Sequence, residues 1–232
     1  MCHNGGAMEP ILPQIFTFTG LIAGRVYMLQ DTDGLTLVDT SIANAGDKIL
    51  AQLKAAGHEP AAVKRILITH GHPDHVGSLP QLKQATGAEV WCHPLEKPII
   101  QGEQSVVRRP SGFRPPDTKV KPTTVDRTFN GEETLPILGG LQIINTPGHS
   151  PGHVSFWHPA SKLVITGDAI FYLMNKMTLP LAFLTADAEE NKRSIKKLLA
   201  LKAETLLFGH GQPIVRTAAA PLQEFAQRVG VV

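Results

Sequence analysis

ILITHGHPDH, residues 66–75, runs through branched apolar side chains to Thr69 and then packs three histidines and an aspartate into six positions. The apolar part reads as a buried strand. Imidazoles and carboxylates are costly inside a core, so the change at Thr69 marks where the chain leaves the core while still anchored by it. Gly71 and Pro73 favour a tight loop that turns His70, His72, Asp74 and His75 toward one point.

Three other segments end in the same way: QIINTPGHSPGH (142–153), KLVITGDA (162–169) and TLLFGHGQP (205–213). Each runs apolar and stops in small residues plus a potential ligand, His149, Asp168 or His210. Sites of α/β sheets form at strand ends, where side chains leave the core but stay on a rigid scaffold. A single histidine there is more often a hydrogen-bonding surface residue, and this chain has ten. His149 and His210 therefore draw their weight from the dense block at 70–75. Together the segments offer five imidazoles and two carboxylates, more than the four ligands of a closed structural zinc site. Seven groups suit two divalent ions that share one carboxylate. Nitrogen and oxygen donors without thiolate favour zinc, with manganese, iron or cobalt as alternatives.

Around these motifs the chain alternates strand and helix. QIFTFTG, AGRVYML and LTLVDT read as strands; NAGDKILAQLKAAG as a helix closing on Gly57; AVKRILIT as a strand; VGSLPQLKQATG as a helix closing on Gly87; AEVWCH as a strand. Short strands return from Val125. Asp187 reads as the N-cap of a late helix, with Glu190 completing a capping box. This order predicts a layered α/β fold, and with 232 residues and no linker, one domain spans 1–232. Residues 1–10 read as a flexible tail. Residues 98–122, with five prolines, three arginines and two lysines, read as a loop or lid insertion.

Composition excludes several functions. Lys plus Arg is 22 and Asp plus Glu is 20, a net charge of 22 − 20 = +2 with no long run of either sign. That argues against a nucleic-acid surface, which needs a basic stripe with stacking aromatics. No stretch approaches the ~20 apolar residues of a membrane span, and the polar, Gly-rich start does not look like a secretory signal. Cys2 and Cys92 give no disulfide framework. A cytoplasmic protein without a membrane or nucleic-acid partner is expected.

The block H-x-H-x-D-H at His70, His72, Asp74 and His75, followed by TPGHSPGH, TGD and FGHG, resembles the metallo-β-lactamase-fold superfamily. Order and spacing fit from about Phe16 to Pro213. The resemblance implies an αββα four-layer sandwich with the metals at one edge of its two sheets. It assigns His70, His72 and His149 to one metal, Asp74, His75 and His210 to a second, and Asp168 to the bridge between them. Asp39 sits where the family often has an aspartate supporting the metal loop. His58, His93, His153 and His158 match no ligand position.

Two such ions acidify a shared water and polarise the group it attacks, which is hydrolytic machinery, and Asp74 is the ligand placed to orient the hydroxide. Phe171, Tyr172, Met174, Met177, Leu179, Leu181, Phe183 and Leu184 are too apolar for an ordinary surface loop; they read as a core or homodimer segment, or as the wall of an apolar pocket. In the second case Tyr172 is a catalytic candidate, its hydroxyl facing a developing oxyanion, as a tyrosine does in acyl-homoserine lactonases at slightly different spacing. Arg108, Arg109 and Arg114 are either solvated or a clamp for an acidic group. Asp168 argues against a β-lactamase, since zinc β-lactamases resembling this pattern usually lack it. With 22 residues after His210, the helical extension with which glyoxalase II grips its thioester does not fit. The sequence thus points to a dinuclear zinc-dependent hydrolase of a lactone or carboxylic ester with an apolar part. A thioesterase of glyoxalase II type and a mononuclear iron persulfide dioxygenase are the alternatives.

Overall fold

Strand Thr205–Phe208 sends Leu206 and Phe208 into one apolar cluster and Leu207 into another. This two-residue alternation recurs along the central strands and divides the core into layers. The computed structural model describes residues 7–106 and 120–232. In chain order they form β1 (Glu9–Leu12), β2 (Ile15–Thr17), β3 (Tyr27–Asp31), β4 (Gly34–Val38), α1 (Gly46–Ala55), β5 (Val63–Leu67), α2 (Pro73–Val76), α3 (Leu79–Thr86), β6 (Glu89–Cys92), α4 (Lys97–Ile100), β7 (Arg127–Thr128), β8 (Thr134–Leu135), β9 (Leu141–Asn145), β10 (Val154–His158), β11 (Leu163–Gly167), β12 (Phe171–Leu173), β13 (Lys176–Thr178), α5 (Ala188–Ala200), β14 (Thr205–Phe208) and α6 (Ala219–Arg228).

Among the described residues, one seven-stranded sheet runs β1 to β7 in order and a five-stranded sheet has the order β14-β11-β10-β9-β8. Tyr27, Leu29, Val38 and Leu67 of the first sheet pack against Ile143, Phe156, Ile165 and Leu207 of the second. The outer face of the first sheet is covered by Ile49 and Leu53 of α1 with Leu79 and Leu82 of α3. The outer face of the second is covered by Ile195 and Leu198 of α5 with Leu222 and Phe225 of α6. These four layers are the expected αββα sandwich. Each fully buried aliphatic side chain contributes roughly 1.5–3 kcal/mol.

The helices stop where the sequence predicts: Gly57 follows α1 at φ 81° and Gly87 caps α3 at φ 70°, conformations in which a Cβ is costly. Asp187 caps α5 by accepting from the Glu190 backbone N–H at 2.9 Å. The reciprocal half of the capping box does not form. The Asp187 N–H is already given to Gly148 O at 2.8 Å, and the Glu190 carboxylate turns to Arg193 Nε at 2.7 Å.

Two expectations need correction. Glu9 and Pro10 are not tail but open β1, which pairs with β2 because Ile11 and Leu12 pack on the inter-sheet core. The segment 98–122 is not loop throughout: α4 lies at its start, and Ile99, Ile100 and Val120 are buried in the first core cluster. The apolar stretch after Asp168 is a β12–β13 hairpin followed by a turn of 3-10 helix at Ala182–Leu184. Cys2, Arg108, Arg109 and Arg114 lie outside the described residues. No helix among the described residues is long and apolar enough to cross a membrane.

Three of the four strands that lead into ligands, β5, β11 and β14, have parallel partners, while β9, which leads into His149, pairs antiparallel. β4, β5, β6 and β7 run parallel, as do β11 and β14, so their C-terminal ends share an edge of the sandwich. Cross-links hold that edge together: Tyr27 Oη donates to Phe208 O at 2.6 Å, and Val154 N donates to Thr69 O at 3.0 Å.

Candidate metal centre

Beyond β5 the backbone is captured at once. The Thr69 N–H donates to Asp39 Oδ1 at 2.8 Å and its hydroxyl to Asp39 Oδ2 at 2.8 Å. His70 follows, fully buried. His72 takes the extended N-cap position of α2 and Pro73 its first turn, where a missing N–H costs nothing. This single helical turn carries Asp74 and His75. His149 comes from the loop after β9, which the Asp187 and Ala186 N–H groups pin by donating to Gly148 O at 2.8 Å and His149 O at 3.1 Å. Asp168 follows β11 and His210 follows β14.

All seven predicted ligands converge. His149 Nε2 faces His72 Nδ1 at 2.9 Å. Asp168 stands in the middle: its Oδ1 is 3.3 Å from His75 Nε2, and its Oδ2 is 3.3 Å from both His149 Nε2 and His210 Nε2 and 3.9 Å from His70 Nε2. Asp74 Oδ2 is 3.0 Å from His210 Nε2. Ligand atoms of His70, His72 and His149 lie within 4.8 Å of one another, as do those of His70, His75 and Asp168, and of Asp74, His75 and His210. Gly209 is glycine for a steric reason: a Cβ there would come within 2.0 Å of Asp168 Oδ1.

The centre fits divalent cations. His70 Nε2, His75 Nε2 and Asp168 Oδ1 are buried without a hydrogen-bond partner, an arrangement that is costly unless another group satisfies them. Electrostatics agree. Burial, then the neighbouring His75 and His72, holds the His70 pKa well below the usual histidine value. Burial and His149 do the same to His72. For His75, burial opposes the charge but Asp168, Asp39 and Asp74 outweigh it and raise the pKa well above normal. Burial likewise opposes charge on His210, and Asp168 and Asp74 overcome it to give about 9. Asp74, despite burial, is drawn down to about 2 by His75 and His210. Carboxylates thus raise the affinity of the second-half imidazoles for positive charge.

The centre opens at one side. The Asp74 side chain is 32% exposed and that of His210 20%, against 3% or less for His70, His75, His149 and Asp168. Tyr172 does not face it. Strand alternation points Phe171 inward, its ring 4.5 Å from that of His210 and 6.1 Å from that of His149. Tyr172 instead stacks on Phe208 at 5.4 Å in the core beneath α5 and α6. This corrects the expectation of a tyrosine hydroxyl at the reacting group. His153 binds no ligand position but accepts the Asp168 N–H at 2.9 Å through Nε2, with burial lowering its pKa to about 3. His158 pairs with Ser161 and Leu138 O away from the ligands.

A model of the metallo-beta-lactamase superfamily matches residues 19–210. The chain belongs to that superfamily. Among its members, the Bacillus subtilis protein "Probable metallo-hydrolase YflN" is 28% identical over 233 residues, 90% of this chain and 88% of the relative. Hydroxyacylglutathione hydrolase GloC of Haemophilus influenzae is 35% identical over 154 residues, 64% of this chain and 69% of the relative. The metallo-β-lactamase fold is seen again in a family protein of Thermus thermophilus, with TM-score 0.76, 23% identity and coverage of 95% of this chain and 81% of that one. With these relatives, the chain is a metal-dependent hydrolase.

One residue escaped sequence reasoning. Glu96, four positions after β6, is buried and accepts from Gly71 N at 2.8 Å, Gly152 N at 2.7 Å and Ser150 Oγ at 2.7 Å. Its signal was its place just beyond β6, the parallel neighbour of β5.

Proposed function

We propose that this chain is a dinuclear zinc-dependent hydrolase that cleaves a lactone or carboxylic ester carrying an apolar part. The observation that carries the proposal is Asp168, whose two oxygens approach imidazoles of both halves of the centre. His70, His72 and His149 would hold one ion, Asp74, His75 and His210 the other, and Asp168 both. When bound, the pair supplies acidified water and a polarised acyl group.

The chain's own residues do the rest. Asp74, ionised and the most open of the acidic ligands, is placed to orient the attacking water at the mouth. Phe171 keeps water from the His149 and His210 side. Past it lie Leu173, Leu181 and Leu184, each partly exposed, and Met174, which is 96% exposed; these offer an apolar rim to the substrate's non-reacting part.

Hydrolysis of a hydroxyacyl thioester is the second reading, favoured by the likeness to the Haemophilus influenzae enzyme. The aligned stretch is a larger share of that relative than of this chain, so the relative is no longer than this chain and the length argument against a thioesterase loses its force. A panel of aliphatic lactones, aryl esters and hydroxyacyl glutathione thioesters, assayed with zinc-loaded protein, separates the two. Turnover of thioesters alone would replace the first reading with the second, and inactivity on all three classes would remove both.

A further inference from the structure

We infer that Glu96 is a positioning residue for the His70, His72 and His149 half of the centre, its carboxylate fixing the separation of the two loops that supply those imidazoles. The inference rests on the two-metal site proposed above.

Three donors reach the two Glu96 oxygens. Oε2 accepts the Gly71 N–H, between His70 and His72. Oε1 accepts the Gly152 N–H and the Ser150 hydroxyl, directly after His149. One side chain therefore ties the first ligand loop to the second. The loops are shaped to receive it. A Cβ at Gly71 would lie 3.1 Å from Glu96 Oε2 and 2.9 Å from Ile99 Cγ2, and one at Gly152 would lie 2.9 Å from both Glu96 Cγ and Oε1. Glu96 is itself anchored, since its N–H donates to His93 O and its carbonyl accepts from Ile100 N, each at 3.0 Å. Ile99 and Ile100 beside it are buried in the first core cluster.

A glutamate used only to fill this space would be a poor choice, because a buried carboxylate is costly and no cation pairs with it among the described residues. What the position demands is two acceptor atoms and no donor. Glutamine cannot meet that demand: its NH2 must face either the Gly71 N–H or the Gly152 N–H, leaving donor against donor. The other half of the centre has its own acceptor-only support in Asp39, which holds Thr69 and His75. Asp39 also touches the first half through Thr69, whose Oγ1 lies 3.0 Å from His70 Nδ1, whereas Glu96 joins the His70–His72 loop to the His149 loop.

The test is metal affinity, read with cobalt(II) against a competing chromophoric chelator on the full chain. Carboxylates that orient ligands are worth about 10–100-fold in affinity. Glu96→Gln should weaken one of the two ions by that factor and leave the other unchanged. Added to His210→Ala, which keeps the first half, it should weaken the remaining site by the same factor; added to His149→Ala, it should change nothing. Ser150→Ala, which removes one donor, should weaken the same ion to a smaller degree, and it carries the test if Glu96→Gln fails to fold. Equal weakening of both ions, or unchanged affinity in Ser150→Ala and Glu96→Gln, would overturn the role of Glu96. Wild-type protein that binds fewer than two ions would instead overturn the two-metal proposal.

Discussion

Asp39 Oδ2 lies 2.8 Å from His75 Nδ1, and this bond decides which way the second half of the centre faces. An ionised carboxylate only accepts, so His75 donates through Nδ1 and leaves Nε2, 3.3 Å from Asp168 Oδ1, as its ligand atom. Asp39→Asn would bring an NH2 against either the Thr69 N–H or Nδ1, and the second case forces the wrong tautomer. The affinity of the Asp74, His75 and His210 half should fall about 10–100-fold, measured by chelator competition. Unchanged affinity would show that the ring is oriented by something else.

The Asp168→Ala variant should lose paired occupancy and most of its turnover, because no other carboxylate among the described residues reaches both halves. Elemental analysis beside a hydrolysis assay reads both effects. Two ions retained at full rate would contradict the bridging role.

Raised histidine pKa values give the metal-free protein a defined pH response. A folded pKa above the unfolded ~6.5 contributes stability that is complete below 6.5 and lost as pH rises through the folded value, which for His210 is about 9. The chelator-treated protein should therefore melt at falling temperature from pH 6.5 to 9, and His210→Asn should flatten that slope. Asp74 acts at the other end, since its folded pKa is depressed to about 2: its contribution is present above ~3.9 and fades as pH falls through the folded value. Constant melting temperature across the alkaline window would show that His210 carries no proton there.

Metal loading should release those same protons. Near neutral pH about two, from His75 and His210, should leave as the ions bind, because ligand imidazoles must be neutral. Calorimetry in buffers of different ionisation enthalpy counts them, and zero release would contradict the charged state of these rings.

Tyr172→Phe should turn over like wild type, since the ring stacks on Phe208 away from the ligands. Tyr172→Ala should cost about 1–3 kcal/mol of stability through lost packing, seen in denaturant melts. A large fall in kcat for Tyr172→Phe with stability intact would put the hydroxyl back at the reacting group.

The convergence of the seven side chains was legible because four strands each announce their own end, and because strand order in an α/β fold brings such ends together. The layered α/β fold followed from the strand and helix order, and its αββα form from the family resemblance. Tyr172 was misread because Asn175 is the one turn residue of the two-residue hairpin turn, too weak a cue to set the register; that register tells that Phe171 faces inward. Glu96 was missed for a different reason, its place just beyond β6 being its one cue. Its partners are two backbone N–H groups and one hydroxyl, 25, 54 and 56 residues away, and no local pattern encodes contacts of that kind.

The most direct measurement is the metal content of untagged protein, expressed without metal supplementation, beside that of His72→Ala. Two zinc-like ions per chain, fewer in the variant, is the predicted result. A single iron per chain, or no bound metal, would contradict the dinuclear hydrolase.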